Sequence, residues 1–303
     1  MSAVGPAVRV TADDATPPAD WDARAVELPG GHVMQSATWG RYRAEQGWDP
    51  HFLTFHDERV ALVLLRSSAG LPGSEAVVRR GPAHADDPPE TAAARAAALA
   101  AWGREAGARS LYLDPERPAD AAYARAMGGA GFELTDALEP SIHVMRRDFA
   151  AGLDEEALLR SFSKSTRQRI RAAEQAGVTV ADGTDAASMT AFAELLHERA
   201  DVVGMQLQAG TGFTEAWRRL IDANLGRLLL AEHEGELIGG LFLFRQGGIW
   251  STAYSADKAA RRRDLPGAMH LVRWTAIRAA HAEGCPAIEL GGVDLPGHRT
   301  PPE

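Results

Sequence analysis

The sequence has a single cysteine, Cys285, and only two lysines, Lys164 and Lys258. One cysteine excludes an internal disulfide and a multi-cysteine zinc site, and its expected role is that of a small buried hydrophobe. Long apolar runs are missing too. No stretch approaches the roughly 18–20 residues that cross a bilayer, and MSAVGPAVRVTADD lacks the charged and apolar regions of a signal peptide. The chain therefore reads as cytoplasmic. The familiar catalytic signatures are absent as well: there is no G-x-S-x-G, H-E-x-x-H, P-loop or G-x-G-x-x-G. None of the ten histidines is spaced as a metal-ligand pair on a helix with an acidic partner, so His197 and His270 read as ordinary surface or core histidines.

What is present is enough apolar material, 45% of 303 residues, for two domains of roughly 150 residues each. The net charge is -9, so the surface as a whole should repel polyanions, which leaves room for one local basic patch. HFLTFHDERVALVLLR reads as a hairpin turning at Asp57 to Arg59. SEAVVRRGP follows as a strand, ETAAARAAALAAWGREAGA as a helix closed by Gly107, and RSLYLDPE as a short buried strand. The same order returns later. GRLLLAEHEGELIGGLFLFRQ is a hairpin, GIWSTAYSA a strand, DKAARRRD a loop, LPGAMHLVRWTAIRAAHAEG a helix and PAIELGG a strand. His56 and His233, Gly107 and Gly284, and Leu111 and Ile288 are each 177 positions apart. Residues 52–113 thus align with 229–290 without a net gap, which points to an internal duplication. Hairpin, strand, helix, strand is the layout of a GNAT-type acyltransferase domain, so the expected fold is α/β with two GNAT-like domains, 1–150 and 151–303.

Two segments concentrate positive charge. SFSKSTRQRIRAAEQAGV, from Ser161 to Val178, carries Lys164, Arg167, Arg169 and Arg171 ahead of any acid. It follows GLDEEALLRSF, capped by Asp154, and should form a helix that stops at Gly177 before the strand VTVAD. Ile170 and Ala173 give it an apolar side, and Arg171 stands near Glu174, as on an ordinary surface helix. Unpaired cations near a helix N-terminus are unfavourable, which instead suggests a polyanionic partner. Residues 185–203 and 213–225 read as two further helices. In AARRRDLPGAM, Arg261, Arg262 and Arg263 precede a helix whose first turn would hold Pro266, Gly267 and Ala268. A solvated charge run and an anion site at the helix N-terminus both fit these residues. Arg263, Gly267 and Ala268 come within one residue of the Q/R-x-x-G-x-G/A signature with which GNAT enzymes bind coenzyme A.

Four segments taken in order resemble the FemABX family of aminoacyl-tRNA-dependent peptidyl transferases. QSATWGRYRAEQGW is similar to its Q-S-x-x-W-x-x-x-K segment, and RRGP with LYLDPE to its RGP and idPe pair. KSTRQRIRAAEQAGV is similar to its T-R-x-x-I-R-x-A-x-x-x-G-V block. STAYSA with LVRWTAIRAAHAEGCPAIELGGV resembles its tyrosine strand, tryptophan helix and terminal glycine pair. Together these cover residues 35–294. The resemblance implies transfer of an amino acid from aminoacyl-tRNA to an amine of a peptidoglycan precursor, lipid II or its nucleotide-linked form, with no metal or coenzyme. A lipid-linked acceptor would bring the protein to the membrane surface.

It also implies residue roles. Trp39, Arg43 and Tyr254 would bind substrate, with Arg43 where the family carries a lysine that contacts the precursor's phosphates. Lys164, Arg167, Arg169 and Arg171 would bind tRNA; Arg261, Arg262 and Arg263 stay candidates for an anion by their place before a helix, beside the reading as a solvated charge run. Two family features are absent: the long helical hairpin thought to engage tRNA, and the FK-x-x-F-G strand after the glycine pair, in whose place stands GGVDLPGHRTPPE. Aminoacyl transfer to a small natural-product amine, an acyl-CoA-dependent N-acyltransferase and a degenerate binding protein are the alternatives.

Overall fold

The structure, a computed structural model, describes residues 8–67, 70, 72–118, 120–135, 143–203 and 212–292. The expected feature GGVDLPGHRTPPE lies outside the described residues beyond Gly292. The chain divides into two compact units, Met1–Ala137 with Gln246–Gly248, and Leu138–Arg245 with Ile249–Glu303.

In the first unit, β1 (Val10–Asp14), α1 (Trp21–Ala25), α2 (Ala37–Glu45), β2 (Asp49–Phe55), β3 (Val60–Ser67), β4 (Ser74–Val78), α3 (Pro89–Glu105), β5 (Ala108–Leu113) and α4 (Ala121–Gly129) follow in order. The strands form one sheet in sequence order, antiparallel except for the parallel pair β4–β5. The run VALVLL in β3 has no polar alternation because both faces are covered. Leu53, Phe55, Val63 and Val78 pack with Leu99 of α3, while Trp21 meets Phe52 edge-on at 5.0 Å. LYL in β5 is half-exposed rather than buried, with Tyr112 43% accessible, because β5 is the edge of its sheet.

The second unit runs β6 (Val144–Asp148), α5 (Glu155–Arg160), α6 (Lys164–Gln175), β7 (Thr179–Asp182), α7 (Ala186–Val203), α8 (Gly212–Asp222), β8 (Gly226–His233), β9 (Glu236–Gln246), β10 (Ile249–Asp257), α9 (Ala268–Ala282) and β11 (Ala287–Gly292). Its strand order is β6-β11-β10-β9-β8-β7. Strands β7 to β11 repeat the order of β1 to β5, and β6 adds an antiparallel edge beside β11. A boundary at residue 150 would cut β6 away from this sheet; the compact units divide earlier, between Ala137 and Leu138.

One face of the second sheet buries Leu229, Leu241, Leu243, Trp250 and Ile288 under α9, joined by Ile170 and Ala173 of α6. On the opposite face Trp217 of α8 stacks on Phe242 at 4.9 Å and meets Phe192 of α7 at 5.4 Å. Helix α9 begins at Ala268, so Pro266 lies outside it and Gly267 is its N-cap. Gly267 is required there, since a Cβ would stand 2.0 Å from the Arg169 carbonyl oxygen of the packed α6. Cys285 is buried, as expected of a small hydrophobe.

Candidate functional site

The basic helix forms where its sequence places it. Ser163 caps α6 by accepting from the Thr166 backbone N–H at 3.1 Å, and Asp154 caps α5 by accepting from Ala157 at 2.6 Å. Its four cations then separate by role. Arg167 is half-buried and donates to the carbonyls of Arg160, at 3.0 Å, and Phe162, so it fastens the turn before its own helix. Lys164 and Arg171 are exposed and have no ion-pair partner among the described residues, and no ion pair joins Arg171 to Glu174. Arg169, also exposed, reaches His270 in the first turn of α9, with Nη1 3.4 Å from Nε2. Burial first, then the charges of Arg169 and Arg273, hold the His270 pKa below the ordinary imidazole value.

The arginine triplet divides in the same way. Arg261 and Lys258 both bind Glu236 at the start of β9, the lysine at 2.9 Å, and Arg262 binds Asp257 at 2.5 and 2.8 Å. Only Arg263 of the three is exposed without an ion-pair partner among the described residues. Around the start of α9 the uncompensated groups are therefore Arg263, Arg169 and Arg273. The helix itself has no acid in its first turn and no side-chain cap. Sequence reasoning missed His270 and Arg273, because the link between α6 and α9 is a packing contact across a hundred residues.

The strand carrying Tyr254 is irregular. Trp250 belongs to the core under α9, yet Tyr254, four residues on, packs against Trp217 at 5.6 Å and Phe244 at 6.0 Å on the opposite face. Strict alternation would put both on one face, so β10 changes phase between them. The change follows the end of pairing with β11: the parallel partners are Trp250 with Ile288 and Ser251 with Glu289. The corresponding strands of the first unit, β4 and β5, stay paired from Ser74 and Ala108 through to Val78 and Leu113.

In the first unit the motif residues prove largely structural. Gln35 is buried and acts as a surrogate strand neighbour. It donates to the carbonyls of Leu62 at 3.2 Å and Arg79 at 2.8 Å, and accepts from Leu62 N–H at 2.9 Å. Gly81 of RRGP must be glycine because a Cβ would lie 2.3 Å from the Gln35 side chain. Asp114 accepts from the Arg80 backbone N–H at 2.5 Å and forms an ion pair with Arg79, whose Nε lies 3.3 Å away, and Glu116 holds Arg80 at 2.8 Å, which ties RRGP to LYLDPE.

Ser36 caps α2, which carries Trp39 beside Tyr42 at 5.4 Å and also Arg43. The Arg43 guanidinium lies 5.1 Å from the Trp48 ring, and that of Arg66 5.5 Å from the same ring. Neither arginine has an ion-pair partner among the described residues. Burial, with Arg66 and Arg79 nearby and Tyr42 opposing, holds the Arg43 pKa below its ordinary value. Arg66 and Trp48 were not legible as site residues, since Arg66 reads as the exposed end of a strand. No group of histidines, cysteines and carboxylates that could hold a metal occurs among the described residues, nor does any helix among them that is long and apolar enough to cross a membrane.

Comparison with known proteins gives these features a setting. Residues 160–298 match the acetyltransferase (GNAT) domain family, and no curated protein matches the chain. Among solved structures, FemX is similar with a TM-score of 0.78 at 17% identity, over 94% of this chain and 89% of that one. L-PGS from Bacillus licheniformis is similar at a TM-score of 0.56 and 12% identity, over 96% and 80%. A tandem GNAT protein from the clavulanic acid biosynthesis pathway reaches 0.50 at 15%, over 95% and 91%. The FemABX resemblance carried by the motifs is thus matched at the level of fold: the chain is built as two GNAT-like units in the manner of FemX, with the GNAT domain match in the second.

Proposed function

We propose that the protein is an aminoacyltransferase that moves an amino acid from aminoacyl-tRNA to an amine of a peptidoglycan precursor, lipid-linked or nucleotide-linked. The observation that carries the reading is the contact of Arg169 on α6 with His270 at the start of α9, near which Arg263 and Arg273 also lack an ion-pair partner among the described residues, while Lys164 and Arg171 are exposed and likewise without one on α6. Exposed cations without ion pairs, concentrated on these elements of a chain of net charge -9, suit a polyanionic ligand. The tandem GNAT-like fold, shared with FemX, agrees with an amide-forming acyl transfer.

In this reading the acceptor amine attacks the ester carbonyl, the bond to the ribose oxygen breaks, and the proton lost by the amine ends on that oxygen. An ester is already activated, so the protein's task is to align the amine and stabilise the oxyanion. Arg43 and Arg66, flanking Trp48, are suited to phosphate groups of the acceptor, with Trp39 alongside. Tyr254 would position the acceptor from the irregular part of β10. Arg167, Arg261 and Arg262 hold internal partners and support these elements.

Incubation with labelled glycyl-, alanyl- or seryl-tRNA and candidate acceptors tests the reading, which expects RNase-sensitive label to pass to the amine. Acyl-CoA is the second donor to try, because residues 160–298 match GNAT acetyltransferase domains. Transfer from acyl-CoA and not from tRNA would overturn the proposal.

A further inference from the structure

Arg169 is held at both ends against the first turn of α9. Its carbonyl oxygen would lie 2.0 Å from a Cβ on Gly267, so the α6 backbone meets the helix start at a place where only glycine fits. Its guanidinium Nη1 lies 3.4 Å from His270 Nε2, and since a guanidinium can only donate, Nε2 is the acceptor. The imidazole is therefore neutral in this contact, with its proton on Nδ1. That nitrogen is buried and makes no hydrogen bond among the described residues, although the Pro266 backbone acts on the ring in the sense that favours a proton. Burial and the charges of Arg169 and Arg273 outweigh it and lower the pKa, which keeps the ring neutral at pH 7.

The cations of the loop before α9 are fixed differently. Lys258 and Arg261 are held by Glu236 and Arg262 by Asp257, and each of those contacts brings an opposite charge. A neutral acceptor fixes a guanidinium and leaves its charge to act on a ligand. The contact with His270 uses one N–H of the fork, and the others remain for a phosphate.

We infer that His270 is a positioning residue for the polyanion: its Nε2 holds the Arg169 guanidinium ready for a phosphate group without cancelling the charge. This deepens the aminoacyl-tRNA reading above and rests on it. An arginine that is already ordered loses less side-chain freedom when the phosphate arrives, and the gain is what immobilising one long side chain costs, about 3–10-fold in affinity.

Binding of alanyl-tRNA measured across a range of salt concentrations tests this. Arg169→Met should weaken binding about 10-fold and make the slope of log affinity against log salt shallower by about 0.7–0.9, as expected for one lost phosphate contact. His270→Leu should weaken binding about 3–10-fold with the slope unchanged, and should do nothing further in the Arg169→Met background. His270→Gln, whose Oε1 can accept in place of Nε2, should bind like the wild type. His270→Glu fixes the guanidinium but cancels its charge, so it should bind no better than Arg169→Met.

A loss from His270→Leu that persists in the Arg169→Met background would mean that the histidine serves the fold or touches the ligand itself, and would overturn the inference. So would a shallower salt slope in His270→Leu, or a loss that His270→Gln fails to restore. If the wild-type chain binds no alanyl-tRNA even at low salt, the aminoacyl-transfer reading itself falls and takes this inference with it. A wild type that binds, but no better than His270→Leu, removes only the role of His270.

Discussion

The two units repeat one strand order at a spacing of 177 residues, yet they balance charge in opposite ways. After β4 the first unit places acids: Asp86 binds Arg59 at 2.7 Å, while Asp87 and Asp57 hold the fully buried Arg95. The position 177 residues after Arg59 is Glu236, and there the loop after β10 answers with Lys258 and Arg261. Arg95 itself corresponds to Val272, an aliphatic residue of the α9 core. In the first unit every one of these charges is consumed internally. In the second unit Arg263 of the loop, Arg273 of α9 and Arg169 of the packed α6 have no ion-pair partner among the described residues. One copy has spent its loop on stability, and the other has kept cations available for a ligand.

The largest expected consequence is a difference in acid sensitivity. His32 and His84 are buried in the first unit, and both pKa values are held down to about 3. Burial is the main cause, followed by Arg80 and Arg79 for His32, and by Arg117, Arg95 and Arg59 for His84. An unfolded chain takes up both protons near pH 6.5. The folded unit refuses them until about pH 3, so stability falls with acid throughout that interval. For the pair the slope is about 3 kcal/mol per pH unit. Among the described residues of the second unit the one histidine with a lowered value is half-exposed His270, whose contribution is smaller. Calorimetry between pH 7.5 and 5 should show the first unit's transition moving down well ahead of the second's. Transitions that move in parallel would contradict the comparison.

Next in size is the buried ion cluster. Arg95 binds Asp57 through Nη1 at 3.0 Å and Nη2 at 2.8 Å, binds Asp87 at 3.0 Å, and lies over Phe55 at 4.7 Å. Arg95→Met should cost about 3 kcal/mol, because it leaves the covered Asp87 carboxylate without its counter-ion and also frees the more exposed Asp57. Adding Asp57→Asn and Asp87→Asn should return most of that loss, making the first unit resemble the aliphatic solution at Val272. Urea unfolding measures both. A triple variant no better than the single one would mean that the arginine's packing, not its charge, is what the unit needs.

The third effect concerns the ligand. Arg169→Glu with Arg171→Glu should weaken tRNA binding about 10–100-fold and make the slope of log affinity against log salt shallower by about 1–2, since each lost phosphate contact removes roughly 0.7–0.9. The same reversal at Arg261 and Arg262 should act mainly on the loop, because those side chains already hold Glu236 and Asp257. Equal effects on affinity from the two pairs would break the distinction between compensated and uncompensated cations.

Much of this arrangement was legible in sequence where it depended on local chemistry. The 177-residue spacing, the turn at Asp57 to Arg59, the stop at Gly177 and the cap at Asp154 all rest on nearby residues. What depended on distant neighbours was not legible. Arg95 reads as one polar residue of an alanine-rich helix until Asp57 and Asp87 are folded onto it. Arg167, Arg261 and Arg262 look identical to Arg169 and Arg263 in a charge count, and their partners on other elements separate them. The phase change in β10 leaves no trace in STAYSA, since it follows from where β11 stops pairing. The edge position of β5 likewise cannot be read from LYL, because burial there is decided by which strand fails to follow.

The smallest expected effect tests whether the charge reversal between the units is a true exchange. Arg59 and Asp86 are partly exposed, so each single reversal, Arg59→Glu or Asp86→Arg, should cost at most about 1 kcal/mol, and the pair made together should regain most of it. The second unit should not behave this way. Glu236 faces two cations, so Glu236→Arg with Arg261→Glu sets the new arginine beside Lys258 as well as beside the new glutamate, and recovery should be incomplete. Double-mutant cycles from denaturant unfolding would give a coupling of about 0.5 kcal/mol in the first unit and less in the second. Equal couplings would mean that Lys258 contributes nothing at its 2.9 Å contact, and that the loop of the second unit is a simple mirror of the first.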